Sequence, residues 1–454
     1  MKQKVLLVTS PAIQKNNFWT CSITSPIGSI MPPCDLASIA AVLRKNNIEP
    51  KILEMRHFKD PIQALKNEVA VFQPDAIVTN IGTASAIEDF EILAAAKDTV
   101  EKRICFCFHA MALPDELFEK GATHILAGDP EYSIVAAVRG ETLEKGLWTK
   151  ETIKREPAWI SDLDSLPFPA LDLIDIDAYH ALIMGKNRFA ILLSNRGCPY
   201  ECPYCVLPFL FGHKFRTMSV NRVISEIEHN IKEFGIRSFF FIDSAININP
   251  QWTMEFCKEI QRRNLKIRWC SNMRIPPVTK ELLYEMKKAG CFRLFYGVED
   301  LDLLERLDRR TTTTATKEAF ALTRSAGIET VAFIILFPDI DTNEKVMAKR
   351  IIKMVSDLKA DAIQCNIAIP YPGSKMYNEY IDKYNMSKNW QLYDPAGNKY
   401  PYKSKLDLVK TRQLIYLGFF LKNPIYVWNI VKNASLRSIF TFLKNATIVL
   451  FNRK

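Results

Sequence analysis

Three closely spaced cysteines are the residues of this chain best suited to chemistry. Cys198, Cys202 and Cys205 stand in the segment NRGCPYECPYC (195–205), with Tyr204 directly before the last of them. Cysteine thiolates are the usual ligands of iron–sulfur clusters. Three thiolates from one tight loop can bind three irons of a four-iron cluster, which leaves the fourth iron open to a small molecule.

A zinc site and three unrelated buried cysteines are the alternatives to a cluster. Structural zinc takes four protein ligands, commonly from two Cys-x2-Cys pairs. The chain offers no second pair, because Cys257, Cys270, Cys291 and Cys365 each stand alone. The spacing therefore favours an iron–sulfur cluster, and a zinc site stays open as the alternative.

The cysteine loop follows one of six strand-like runs in the second half of the chain. These runs are 189–195, 238–242, 267–271, 292–296, 330–336 and 362–367. Helical patterns such as 219–234 and 279–289 follow them, and this alternation predicts a partial barrel of six βα units. Sites in βα barrels lie at the carboxyl ends of the strands, so we expect the cysteines at the barrel mouth.

The first 140 residues predict a doubly wound parallel sheet. Strand-like runs at 4–9, 50–54, 75–80, 103–108 and 124–127 alternate with helical patterns at 35–47, 61–71, 86–100 and 114–121. Short apolar runs separated by helices are typical of α/β proteins with a buried parallel sheet. Ligands of such sheets bind beyond the carboxyl ends of the strands, here the loops 10–12, 81–85 and 109–114.

Both halves of the chain resemble one known group of enzymes. The cysteine spacing resembles the signature of the radical S-adenosylmethionine (radical SAM) superfamily. The first 140 residues resemble the cobalamin-binding domain of its class B methyltransferase-like members, through PPCDLASIAAVL (32–43), PDAIVTNIGT (74–83), and HAMALP (109–114) followed by GDPE (128–131). The resemblance covers about residues 1–385 and implies a [4Fe–4S] cluster, S-adenosylmethionine and cobalamin as cofactors.

The first domain departs from the family pattern at two places. Phe106 and Cys107 stand where the family has two glycines, and His57 lacks the neighbours of the motif that supplies a lower cobalt ligand. The resemblance thus implies either cobalamin without a histidine on cobalt or a domain that has kept its shape and lost the cofactor. The expected cobalamin contacts are Ser10, Pro11, Thr83, Ser85 and His109.

The resemblance also implies which residues contact S-adenosylmethionine. They follow the barrel strands or belong to the cysteine loop, and they are Tyr204, Asp243, Ser244, Arg274, Glu299 and Pro370. The alternatives are a helix cap for Asp243, a surface acid for Glu299 and a structural ion pair for Arg274. The turn LFPD (336–339) lacks both glycines of the family pattern. No general acid or base can be assigned.

The resemblance implies a radical enzyme that cleaves S-adenosylmethionine to a 5′-deoxyadenosyl radical. Its most common outcome is cobalamin-dependent methylation of an unactivated carbon of a small-molecule substrate, such as a natural product or a lipid-like compound. The alternatives are a radical cyclase, rearrangement or oxidation enzyme without methyl transfer, and a non-catalytic iron–sulfur protein. An external electron donor such as flavodoxin or ferredoxin is expected.

Composition limits the location and the partners. The 454 residues carry 11 cysteines, and this odd number does not indicate a disulfide scaffold. No cleavable signal is recognised, so we expect a cytoplasmic protein. The net charge of +10 comes without a nucleic-acid module, and we expect no nucleic-acid partner.

The predicted organisation is a cobalamin-binding-like domain at 1–140, a linker at 141–187, a radical SAM partial barrel at 188–385 and a helical extension at 386–454. The extension carries an apolar stripe interrupted by basic residues between 428 and 454. Such a pattern suits an interfacial helix, which would give peripheral contact with the inner face of a membrane. A helix packed over the barrel or a lid on the substrate is the alternative.

Overall fold

A computed structural model describes residues 2–11, 30–181, 184–185, 187–338, 340–341 and 343–424. Two six-stranded sheets organise these residues, in the order β2-β1-β3-β4-β5-β6 and in the order β14-β13-β12-β11-β10-β7. A separate pair of short strands, β8 and β9, joins the two ends of the cysteine loop. The predicted α/β class, with a sheet domain followed by a partial barrel, is confirmed.

The first sheet has five parallel strands and one antiparallel edge strand. Its strands are β1 Lys4–Val8, β2 Glu49–Leu53, β3 Ala76–Asn80, β4 Lys102–Phe106, β5 His124–Leu126 and β6 Leu147–Trp148. Its helices are α1 Cys34–Lys45, α2 Pro61–Phe72, α3 Ala86–Ala95, α4 Phe108–Ala112, α5 Pro114–Glu119 and α6 Pro130–Arg139. Helices on both faces bury the apolar strands, as parallel sheets require.

Two details of the first domain differ from the sequence prediction. Strand β4 ends at Phe106, two residues early, because Cys107 adopts a left-handed φ of 95° that extended backbone does not allow. The short helix α4 then occupies part of the predicted 109–114 loop. Strand β6 comes from the predicted linker, so residues beyond 140 contribute to the first sheet.

The second sheet is parallel throughout, and its strands neighbour one another in chain order. Its strands are β7 Phe189–Leu192, β10 Ser238–Phe241, β11 Arg268–Met273, β12 Cys291–Glu299, β13 Glu329–Leu336 and β14 Ala362–Ile367, and the separate pair is β8 Asn195–Arg196 and β9 Arg216–Thr217. Its helices are α7 Leu207–Phe211, α8 Val220–Phe234, α9 Pro250–Arg262, α10 Lys280–Lys288, α11 Thr313–Ser325, α12 Glu344–Leu358 and α13 Lys375–Tyr384. This is the open barrel of six βα units that the sequence predicts.

Short polar side chains start six of the seven named barrel helices, all but α7. In each case the side chain accepts a hydrogen bond from the backbone N–H three residues later, which satisfies one unpaired donor of the first turn. The capping residues are Ser219, Asn249, Thr279, Thr312, Asn343 and Ser374. These caps fix where each loop at the barrel mouth must end.

The described part of the C-terminal extension packs against both domains. A 3-10 helix at Trp390–Leu392 lies against the first domain, and α14 Leu408–Lys422 lies against the barrel wall. The hydroxyl of Tyr416 on α14 accepts a hydrogen bond from the backbone N–H of Cys365. The amphipathic stripe between 428 and 454 lies outside the described residues.

None of the helices described for this chain is both long and apolar enough to span a bilayer.

Candidate functional site

The cysteine loop begins and ends at the β8–β9 pair, directly after strand β7. Gly197 follows β8 with φ of 83°, and a Cβ there would lie 2.1 Å from the carbonyl oxygen of Lys214. The backbone N–H of Cys198 donates to the carbonyl of Gly212 at 3.2 Å. Only glycine fits this crossing of the two chain segments, so the loop base is held tightly.

The three thiols of this loop differ in burial. Cys202 is 9% exposed, Cys198 and Cys205 are half-buried, and burial raises the pKa of the Cys198 thiol. In the described ranges, no three His, Cys, Asp or Glu side chains converge on a point where they could bind one metal ion. Convergence on one ion is required by a zinc site, whereas a cubane cluster takes one thiolate per iron.

Two buried arginines point at the sulfur of Cys202. Arg309 Nη1 donates to it at 3.6 Å, and Arg274 Nη1 lies 3.9 Å from it. Arg274 stacks on the ring of Tyr200 at 3.4 Å and donates to the backbone carbonyl of Arg309 at 2.6 Å. Arg274 was predicted from the sequence, whereas Arg309 was not, because it lies ten residues beyond the end of its strand. The basic pair Arg309–Arg310 was the available signal.

Glu299, Tyr204 and Arg309 form one hydrogen-bonded group beside the cysteines. The Tyr204 hydroxyl donates to Glu299 Oε1 at 2.7 Å and accepts from Arg309 Nη1 at 3.0 Å. The ion pair between Arg309 and Glu299 measures 3.5 Å. Burial, with the nearby Glu299 charge, raises the pKa of Tyr204 well above its ordinary value, so the phenol stays protonated and donates. Glu299 is therefore a buried acid and not a surface acid.

Asp243 and Ser244 hold the start of the cysteine loop. Asp243 Oδ1 accepts from the backbone N–H groups of Ser194 and Asn195, at 2.7 and 3.1 Å, and its other oxygen accepts from the Ser194 hydroxyl. Burial raises the pKa of Asp243 to about 7. The Ser244 hydroxyl donates to the carbonyl of Gly197 at 3.1 Å. The cap of the next helix is Asn249, so Asp243 does not serve as that cap.

A cavity of about 320 Å³ lies at the barrel mouth beside these groups. Four of the predicted contacts of S-adenosylmethionine line it together with Cys205, namely Tyr204, Asp243, Ser244 and Glu299. Its apolar lining includes Phe240, Phe295 and Phe333, whose rings pack at centroid distances of 5.4 and 5.5 Å.

Other parts of the cavity lining come from outside the first five barrel strands. Gln364 and Asn366 of β14 supply amide groups, Met31 comes from the first domain, and Pro395 comes from the C-terminal extension. Pro370 is buried between two residues of the lining, Ile369 and Tyr371. The first domain, the barrel and the C-terminal extension therefore all contribute to the cavity.

In the first domain, Thr83, Ser85 and His109 are fully buried at the carboxyl edge of the sheet. His109 Nδ1 shares a hydrogen bond with Thr83 Oγ1 at 3.1 Å, and burial lowers the pKa of His109 to about 3, so the imidazole is neutral. The indole of Trp390 meets the His109 ring edge-on at 5.0 Å.

Asp89 joins two of the expected cobalamin loops. It accepts from Ser85 Oγ at 2.7 Å and from the backbone N–H of Gly82 at 3.2 Å, and it also bonds the Ser10 side chain. Burial raises the pKa of Asp89 to about 7. Pro11 is buried next to Ser10 at the end of a described range.

A buried ion network connects the cysteine loop to the first domain. Arg196 pairs with Asp129 at 3.0 Å and with Glu131 at 2.8 Å, and Arg216 pairs with the other oxygen of Asp129. Ser38 Oγ donates to Glu131 at 2.6 Å. Burial alone would lower the pKa of Arg196, but the two carboxylates raise it above its ordinary value. The GDPE motif (128–131) was recognised in the sequence, whereas its arginine partners Arg196 and Arg216 were not predicted.

Comparison with protein families matches the radical SAM superfamily over residues 192–351. These residues run from the end of β7 into α12 and include the three cysteines, Asp243 and Glu299. This part of the chain is a radical SAM domain. With this domain the chain is an enzyme of the class that the cysteine spacing resembles.

Several curated relatives of this chain are methyltransferases by name. An uncharacterised methyltransferase of Pyrococcus horikoshii is 28% identical and aligns with 95% of each chain. The hopanoid C-3 methylase of Methylococcus capsulatus is 23% identical, over 85% of this chain and 76% of its own. The anaerobic magnesium-protoporphyrin IX monomethyl ester cyclase of Cereibacter sphaeroides is 27% identical over 79% of this chain, which spans 61% of that cyclase.

Two solved structures share the two-domain fold of this chain. TsrM of Kitasatospora setae, solved with cobalamin and a [4Fe–4S] cluster, superposes with a TM-score of 0.66 over 84% of this chain and 75% of its own, at 18% identity. OxsB, solved with aqua-cobalamin, gives a TM-score of 0.69 over 99% of this chain and 72% of its own, at 17% identity. At these identities the likeness concerns the fold.

Proposed function

We propose that this protein is a cobalamin-dependent radical SAM methyltransferase that methylates an unactivated carbon of a small molecule. The observation that carries the proposal is the cavity at the barrel mouth. There the cysteine loop, the Tyr204–Glu299 pair and an apolar lining from three parts of the chain meet in one space. The methyltransferase and methylase relatives support the same reaction class.

The chain fits a [4Fe–4S] cluster with S-adenosylmethionine beside it. A cluster bound by Cys198, Cys202 and Cys205 would supply the single electron that cleaves the sulfonium. Glu299 places a buried carboxylate against the cavity, where it can attract the ammonium group of S-adenosylmethionine. The apolar lining keeps water away from the carbon radical of the substrate. Such shielding is one contribution that a protein makes to radical chemistry.

The first domain retains features that suit cobalamin. Cys107 keeps the left-handed backbone that a glycine of the family pattern would adopt, so the path of this loop is preserved. The Nε2 atom of His109 is buried, and no residue of the described ranges gives it a hydrogen bond. Thr83, Ser85 and His109 would hold the cofactor, with Ser10 and Pro11 beside them. Cobalamin would supply the methyl group when bound, and TsrM and OxsB both contain it.

A radical cyclisation or rearrangement without methyl transfer is the second candidate. The relative from Cereibacter sphaeroides is a cyclase. Its sequence identity with this chain is 27%, close to the 28% of the Pyrococcus horikoshii methyltransferase. Cys107 also adds a side chain where the family pattern has none, which narrows the space for a corrin. An apolar cavity suits either reaction.

The electron donor and the location are part of the same proposal. A cluster in this loop needs one electron from outside the protein, and flavodoxin or ferredoxin can provide it. An oxygen-sensitive cluster requires a reducing compartment, so we place the enzyme in the cytoplasm. We also propose peripheral membrane contact through residues 425–454, which would suit a lipid-like substrate.

Anaerobic purification followed by two assays tests the proposal. We expect about four irons per chain, corrin absorbance, and 5′-deoxyadenosine after reduction with S-adenosylmethionine. Label from methyl-labelled S-adenosylmethionine should appear in methylcobalamin. The Cys205→Ala variant should lose iron and cleavage, whereas the matched control Cys270→Ala, a buried cysteine outside the loop, should retain both.

The other outcomes separate the candidates. Deoxyadenosine without corrin or methyl label would favour the radical enzyme without methyl transfer. An intact cluster that never cleaves S-adenosylmethionine would favour the non-catalytic iron–sulfur protein. Zinc in place of iron would contradict all three.

A further inference from the structure

The sulfur of Cys202 receives two guanidinium groups from different loops. Arg309 comes from the segment after β12, and Arg274 directly follows β11. Arg274 and Arg309 are 8% and 7% exposed. Positive charge this close to a thiolate is only weakly screened when water is excluded. Such contacts therefore act strongly on whatever the thiolate binds.

Arg309 is held in place by a strained loop. Its neighbours Asp308 and Arg310 adopt left-handed φ angles of 46° and 50°, which non-glycine residues adopt only at an energetic cost. Arg309 Nη2 donates to the carbonyl of Gly297 at 2.7 Å, and a Cβ on Gly297 would lie 2.6 Å from that nitrogen. The absence of a side chain at Gly297 thus leaves room for the Arg309 guanidinium.

Arg274 has its own restraints. Its stacking on Tyr200 and its hydrogen bond to the backbone of Arg309 fix one face and one end of the guanidinium. In the described part of the chain it forms no ion pair with a carboxylate, whereas Glu299 partly offsets the charge of Arg309. Arg274 therefore brings a net positive charge to the cysteine loop.

Hydrogen bonds and positive charges at a cluster thiolate stabilise the reduced form, because reduction adds one negative charge to the cluster. The oxidised cluster takes one electron from a low-potential one-electron donor, the donor is oxidised by one electron, and no bond is formed or broken. A group that stabilises the added charge raises the reduction potential. The donor then delivers its electron more readily.

We propose that Arg274 and Arg309 are positioning residues for electron entry, which raise the reduction potential of the cluster through their contacts with Cys202. The proposal rests on the proposed function, since it requires a cluster in this loop. It assigns a role in the redox step to two residues that do not need to touch substrate.

A redox titration of the reconstituted full-length protein tests the proposal, with dithionite as the donor and the paramagnetic signal of the reduced cluster as the readout. Without S-adenosylmethionine, Arg274→Gln and Arg309→Gln should each lower the ratio of reduced to oxidised cluster about tenfold at a fixed potential, which is about 59 mV for one electron. Arg309→Lys, which retains the charge, should fall between wild type and Arg309→Gln. The matched control is Arg310→Gln, an exposed arginine paired with Asp308, and it should titrate like wild type.

Unchanged potentials in both glutamine variants with full iron content would overturn the proposal. A shift that appears only with S-adenosylmethionine present would also overturn it, because the arginines would then act by binding that cofactor. If a glutamine variant fails to assemble the cluster, the lysine variants Arg274→Lys and Arg309→Lys decide, and wild-type potentials in both would count against the proposal. A wild-type protein without iron would instead contradict the proposed function.

Discussion

Replacing Arg196 with methionine tests whether the buried ion network joins the cysteine loop to the first domain. The substitution keeps most of the side-chain volume and removes the guanidinium. Asp129 and Glu131 then stay buried, with Arg216 remaining as a partner of Asp129. Removing one partner of a buried ion pair costs about 3 to 5 kcal/mol, because the charge left behind is neither paired nor hydrated.

The expected change in melting temperature follows from chain length. At about 2.1 cal/mol/K per residue, cooperative unfolding of all 454 residues has an entropy of about 1 kcal/mol/K, so a loss of 4 kcal/mol lowers the melting temperature by about 4 °C. If the barrel of about 200 residues unfolds separately, the same loss lowers it by about 10 °C.

Differential scanning calorimetry of the anaerobic protein measures this shift, and iron content measured in parallel reports the loop. The matched control is Arg188→Met, whose exposed pair with Asp177 should contribute no more than about 1 kcal/mol. We expect Arg196→Met to melt at least about 3 °C below wild type and to bind less iron, and Arg188→Met to match wild type in both. A melting temperature for Arg196→Met within 1 °C of wild type would refute the reasoning.

Three further substitutions test the loop base, a buried acid and the cover over the first domain. Gly197→Ala should abolish iron binding, because the added methyl group would lie 2.1 Å from a carbonyl oxygen, whereas Gly235→Ala, also left-handed but with open space, should cost about 1 kcal/mol and retain iron. The folded-state pKa of Asp89 is raised to about 7, so the stabilising effect of this carboxyl is complete below about pH 4 and is lost as pH rises to 7. Asp89→Asn should therefore gain thermal stability relative to wild type between about pH 4 and 7, and a pH-independent difference would be contrary evidence. Trp390→Ala should raise the pKa of His109 from about 3 toward 6.5, as followed by NMR of the imidazole, and a value that stays near 3 would show that the indole does not control this burial.

Much of the fold could be predicted because short-range sequence patterns indicate its strands and helices. The apolar runs locate every strand of the two sheets except β6, and the cysteine spacing identifies the loop that follows β7. Glu299 was expected from the resemblance of the segment after its strand to the family pattern. These predictions need only the local order of residues.

The remaining features depend on contacts between distant parts of the chain. Arg196 and Glu131 are 65 residues apart and belong to different domains, so no local pattern links them. Arg309 reaches Cys202 only because a loop with left-handed residues turns it back toward the barrel mouth. Trp390 covers His109 from a segment some 280 residues later. In each case tertiary packing decides the partner.

Asp243, predicted as a contact of S-adenosylmethionine, is hydrogen-bonded to the base of the cysteine loop. The register of β10 against β7 aligns Phe241 with Leu192, so the carboxylate reaches the backbone of Ser194 and Asn195. Its oxygens bind the base of the cysteine loop as well as lining the cavity. A contact with S-adenosylmethionine at this position remains a prediction.

The central claim is that S-adenosylmethionine binds the open iron of a cluster held by Cys198, Cys202 and Cys205. Electron–nuclear double resonance of the reduced protein tests it directly, with S-adenosylmethionine carrying ¹⁵N in its amino group. The account predicts a ¹⁵N hyperfine coupling that requires a nitrogen bound to iron and is absent without the cofactor. A reduced, fully assembled cluster that shows no such coupling at saturating S-adenosylmethionine would contradict it.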